Sequence, residues 1–209
     1  MLGRGILIAL SLPALACAQA SAALPEVDAR VLRAPQQAPA GMALQGEPAQ
    51  SVDEPLPAIL RSESDLPEPV RAMRRKLMDA AKSGDMEELR ALMVEQPEPP
   101  SVSLGDPGDP IEYLKALSSD ADGREILAIL LEVLEGGFVH VGEGTDDELF
   151  VWPYFAQYPL EALNSEQLVE LFTLLTAADY EDMKSYGAYT FFRVGIAPDG
   201  RWLFFLAGD

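Results

Sequence analysis

The last stretch of the chain, Gly187 to Asp209 (GAYTFFRVGIAPDGRWLFFLAGD), limits the possible folds more than any other. It reads as two β-strands joined by the turn Ala197-Pro198-Asp199-Gly200. Proline presets φ, the aspartate bonds its own backbone, and glycine tolerates a positive φ. Strict alternation puts Tyr189, Phe191 and Arg193 on one side of the first strand and Thr190, Phe192, Val194 and Ile196 on the other. In the second strand it opposes Trp202, Phe204 and Leu206 to Leu203, Phe205 and Ala207. Both faces are apolar, so the hairpin must be covered on both sides.

The helical signals that could supply this cover lie upstream. Asp65 and Glu68 have capping-box spacing before Val70, Met73, Leu77, Ala80 and Ala81, which recur at helical intervals. Ser83-Gly84 ends that helix, and Asp85 with Glu88 opens the next, carrying Leu89, Leu92 and Met93. The stretch from Ala80 to Leu92 resembles one helix pair of an ankyrin repeat. No second unit follows, and a solenoid needs several, so it reads as an isolated helical hairpin. Pro110 sits at the first position of a short helix with Ile111, Leu114 and Leu117. Asp122 and Glu125 have the spacing of another box before a helix over 123–135, apolar nearly all round, which predicts a buried central helix. The period then switches to two in Phe138-Val139-His140-Val141 and Leu149-Phe150-Val151-Trp152. Asn164 with Gln167, and Leu163 with Leu168, mark the start of a helix; a shorter one follows from Asp179 and ends at Gly187. The order is helices, two strands, two helices, two strands. This predicts an α+β domain over 65–209, its helical N-terminal half packed on a small antiparallel sheet of about four strands, with the C-terminal hairpin central.

The first third has a different character. Residues 1–22 carry Arg4, the apolar run Ile6 to Ala16, and then small residues with A-x-A spacing, the pattern of a secretory signal peptide. Ala14-Leu15-Ala16-Cys17 is a degraded lipobox; the well-formed A-x-A sites favour cleavage beyond Cys17 over a lipid anchor on it. Cleavage there leaves a chain without cysteine, indifferent to an oxidising compartment. Residues 23–64, rich in Pro, Ala and Gln, read as a disordered spacer, with Leu56 and Ile59-Leu60 available to dock on the domain as a short helix. The expected location is periplasmic or secreted, and no later run is long enough for a transmembrane helix. The net charge of −19 argues against nucleic acid and anionic membranes as partners. The basic cluster Arg71, Arg74, Arg75 and Lys76 is expected to pair with neighbouring acids.

Chemistry-bearing residues are sparse. His140, the only histidine, is a candidate general base if Glu143 or Asp146 orients it, but no Ser or Cys nucleophile motif accompanies it. Ser118 to Gly123 resembles the front of a calcium loop, yet Ile129 stands where the bidentate carboxylate belongs. The acidic loop 142–148 needs no ion to exist as a turn. No metal and no cofactor is therefore expected. Among the aromatic residues, Trp152, Tyr154 and Phe155 are the candidate ligand face, because Pro153 ends regular strand pairing beside them; set against this, aromatics dominate cores, and the same residues read as core and sheet packing.

The C-terminal half resembles a family of exported bacterial proteins with no established activity. The likeness rests on Phe150-Val151-Trp152-Pro153-Tyr154-Phe155, Asp182-Met183-Lys184, Arg193-Val194-Gly195-Ile196 and Pro198-Asp199-Gly200-Arg201-Trp202, and covers roughly residues 110–209. The resemblance implies export and a compact domain. The resulting expectation is a non-catalytic periplasmic domain that binds a protein, peptide or envelope component. The alternative is an envelope hydrolase built on His140 and nearby carboxylates.

Overall fold

The computed structural model describes residues 56–208. The expected signal segment, Cys17 and most of the expected spacer lie outside the described residues. Six α-helices and four strands are present among them: α1 (Glu68–Ser83), α2 (Met86–Glu95), α3 (Pro110–Ala116), α4 (Arg124–Glu135), β1 (Val139–Val141), β2 (Leu149–Trp152), α5 (Ser165–Leu174), α6 (Ala177–Tyr186), β3 (Arg193–Ile196) and β4 (Trp202–Leu206). The fold is α+β. The sheet is an antiparallel meander in the order β1-β2-β3-β4. Among the described residues, no helix is long and apolar enough to cross a membrane.

Each sheet face meets its own core. Phe138, Phe150, Trp152, Val194, Ile196, Trp202 and Phe205 pack with the apolar residues of α1 to α4. Val139 and Val151 point the other way, toward Leu160, Leu171 and Leu175 with Tyr180, Met183 and Tyr189. The hairpin turn forms as expected: Gly200 donates to the Ala197 carbonyl and Ala197 to the Arg201 carbonyl. One detail departs from strict alternation. The register shifts near Ile196, so Ile196 pairs with Trp202 while Gly195 pairs with Phe204. The bulge moves Trp202 onto the same face as Phe205, and both are buried in the larger core.

Both edges of the sheet are covered by non-strand segments. Leu60 exchanges backbone hydrogen bonds with Phe138, at 2.8 and 2.9 Å. Ser101 does the same along β4, donating to Leu203 and accepting from Phe205. Packed structure therefore begins before position 65, with Leu60 extended against the sheet instead of forming a short helix. Such coverage satisfies edge N–H and C=O groups that would otherwise template pairing with another chain.

Several helix starts differ from the sequence reading. The first box is made by Ser62 and Asp65, around a 3₁₀ turn at Glu63–Asp65, and α1 begins after Pro67. Asp120, not Asp122, organises the start of α4: its carboxylate accepts from Asp122, Arg124 and Glu125 N–H groups and from Ser118 Oγ. Four donors hold that carboxyl far below the usual range, the Ser118 hydroxyl being the strongest cause. The residues resembling a calcium loop are thus spent on a helix N-terminus. The last helix is capped by Thr176 with Asp179. The Asn164–Gln167 box and the left-handed Gly84 and Gly187 ends form as read. In the basic cluster, Arg71 pairs with Glu68, Arg74 with Glu63 and Lys76 with Glu95. Arg74 also donates to the Leu134 carbonyl, tying α1 to the C-terminal end of α4.

Candidate functional site

The histidine lies on β1 opposite Phe150, and the two rings stack at 4.3 Å with planes 4° apart. Its acid partner is Glu148, with Nε2 and Oε1 2.8 Å apart, and not Glu143 or Asp146. The reason is local geometry. The loop 142–148 folds back at Gly142, which has a positive φ and whose Cβ position would meet the Asp147 carbonyl. That return brings Glu148 alongside His140, while Glu143 and Asp146 point into solvent. The second Glu148 oxygen accepts from Gly144 N–H. This backbone hydrogen bond, followed by the histidine, lowers the Glu148 pKa. Thr145 Oγ1 donates to the Gly142 carbonyl. The group fastens a loop.

The aromatic trio is not a surface. Trp152, Tyr154 and Phe155 are 0%, 0% and 1% exposed. Pro153 does end β2, as expected, but β2 is an inner strand and the chain turns inward from it. Trp152 packs on Phe138 in the larger core, with ring centroids 4.9 Å apart. Tyr154 and Phe155 form a 3₁₀ turn with Gln157 that belongs to the core beneath α5 and α6. Aromatic burial outweighs the exposure that the break in pairing suggested.

Open surface lies instead between α4 and α5. Two adjoining clefts, of about 170 and 330 Å³, share Glu132, Thr173 and Leu174. The floor is apolar: Ile129, Leu174 and Phe191, with Phe155 at one end. The rim carries Glu125, Glu132, Glu135 and Glu170. Two of these carboxylates are engaged. Glu125 accepts from Ser119 N–H. Glu170 accepts from Arg61 at 2.8 Å and from the Tyr154 hydroxyl at 3.1 Å. Burial, then the Glu170 charge, raises the Tyr154 pKa. Glu132 and Glu135 have no ion pair or side-chain hydrogen bond among the described residues. Beyond the Thr173 rim, the outer side of α5 exposes Val169 (69%) and Phe172 (42%). His140 lines neither cleft.

The groove departs from the expectation of a buried central helix, drawn from a run that is apolar nearly all round. The exposed stripe of α4 is nevertheless present in the residues: Glu125, Ala128, Glu132 and Glu135 recur at helical intervals between the buried leucines. Among the described residues, no group of three or more His, Cys, Asp or Glu side chains could hold a metal ion. No protein-family model, curated protein or solved structure matches the chain.

Proposed function

We propose that the domain is a non-catalytic binding module of an exported protein, and that it takes an envelope protein or peptide in the α4–α5 groove. The observation that carries this reading is the apolar floor of Ile129, Leu174 and Phe191 lying open beside Glu132 and Glu135, which have no ion pair among the described residues. Apolar side chains next to convergent polar groups are the usual make-up of a binding surface. The engagement of His140 by Glu148 and Phe150, away from both clefts, supports a loop-fastening role over hydrolysis. Export rests on Arg4, the apolar run from Ile6 to Ala16 and the A-x-A sites. The mature N-terminus, read from protein recovered from the envelope or medium, tests that part: it should fall near residue 22.

A photo-crosslinking residue placed at Ala128 in the groove, and separately at Asp146 in the β1–β2 loop, tests the binding face in the native host. The expected result is a discrete adduct from position 128 and none from position 146. Adducts from 146 alone, or equal adducts from both, contradict the groove as the binding face.

A further inference from the structure

Resting on the groove reading above, we infer that the occupant is a cationic amphipathic helix of a partner protein: an apolar stripe seated on the floor, flanked by Lys or Arg facing Glu132 and Glu135. The length fits. The α4 wall runs from Glu125 to Glu135, about 15 Å at 1.5 Å per residue, or nearly three helical turns. Helix-in-groove recognition places anchors at i, i+3, i+4 and i+7 along such a lane. Ala128, exposed at the middle of the wall, leaves room for a backbone to approach.

The charge pattern selects the partner. Glu170 is paired with Arg61, and Ser119 N–H holds Glu125 in place without neutralising it, so among the described residues the groove's carboxylates without a cationic partner are Glu125, Glu132 and Glu135, of which Glu132 and Glu135 also lack a hydrogen-bond donor. These two are one turn apart on the same helix, a spacing that meets basic residues one turn apart on a facing helix. A second copy of this chain is a poor occupant, since its net charge is −19. A small polar cation would leave the apolar floor unused.

The test uses the full chain and a fluorescent synthetic peptide of about 14 residues, two heptads with Leu at the apolar positions and Lys at the flanking ones. Binding is read by anisotropy. The expected result is saturable binding that weakens about tenfold in E132Q/E135Q and becomes less salt-dependent. E143Q/D146N removes the same charge away from the groove and should leave affinity within about twofold. Ala128→Trp, at an exposed position, should block binding without disturbing the core. No binding to the wild-type chain overturns the inference. So does equal binding of a scrambled Lys/Leu peptide, or of a Ser/Leu peptide. Binding lost in Ala128→Trp but indifferent to E132Q/E135Q overturns the cationic occupant and leaves the groove standing. Binding indifferent to Ala128→Trp overturns the groove itself.

Discussion

Gly195 and Phe204 are cross-strand partners, and the Phe204 ring fills the space a Cβ on Gly195 would need. The row Val139, Val151, Gly195 and Phe204 crosses all four strands on one face, and the missing side chain lets the phenyl ring lie against β3. Gly195→Ala should therefore cost about 1–3 kcal/mol through overpacking. The same change in a Phe204→Ala background should cost much less, because the clash is gone. Chemical denaturation of the four proteins checks this; equal costs in both backgrounds would contradict it.

Buried and exposed apolar residues on α5 should separate cleanly. Leu171 is fully buried, and Leu171→Ala should lose about 2–5 kcal/mol. Val169 and Phe172 are exposed, and Val169→Ser should stay within about 0.5 kcal/mol of wild type. Denaturation midpoints at unchanged slope report both. A large loss from Val169→Ser would mean that this residue serves the fold and not a partner.

Acid should weaken the domain over a defined window. Asp109 caps α3 through the Ile111 and Glu112 N–H groups and pairs with Arg90 at 2.8 Å. The Arg90 hydrogen bond leads in holding its carboxyl down to about 2. A folded pKa below the unfolded value of about 4 gives stability that is present above pH 4 and lost as pH falls toward 2. Asp109→Asn keeps the cap and removes the titration, so its denaturation midpoint should fall less than that of wild type over that window. Parallel acid curves for the two proteins would contradict this assignment.

At the alkaline end, Tyr154 and Tyr189 are the sensitive groups. Burial raises both pKa values, with the Glu170 charge adding to the shift at Tyr154. The Tyr189 hydroxyl donates to the Phe192 carbonyl. A raised folded pKa gives stability that is full below the unfolded value of about 10 and is lost as pH climbs through the folded value. Tyrosinate absorbance should show Tyr154 and Tyr189 ionising only as the protein unfolds. Ionisation of Tyr154 or Tyr189 near pH 10 in folded protein, followed through Tyr154→Phe and Tyr189→Phe difference spectra, would refute it.

The class of fold was legible because the signals were local. Alternation in 138–141 and 149–152, the Pro198-Asp199-Gly200 turn and the Asn164–Gln167 box each specify structure within a few residues. What misled the reading was competition between neighbours of equal chemistry. Ser62 took Asp65 from the cap expected at 65, and Asp120 took the role expected of Asp122. For the aromatic trio, core packing holds and the ligand-face alternative fails, because the end of strand pairing says nothing about which way the chain turns next. Glu148 displaced Glu143 as the histidine's partner through the return of a glycine loop, a three-dimensional fact absent from spacing alone. The groove escaped because it needs two helices brought side by side.

The account turns on whether the α4–α5 groove is where this domain meets its partner. The most direct measurement is an amide chemical-shift map of the full chain titrated with the Lys/Leu peptide. The account predicts shifts at Ala128, Glu132, Glu135, Val169 and Thr173, with Gly144 and Asp146 unmoved. Shifts gathered on the 142–148 loop, with the α4 and α5 amides still, would contradict it.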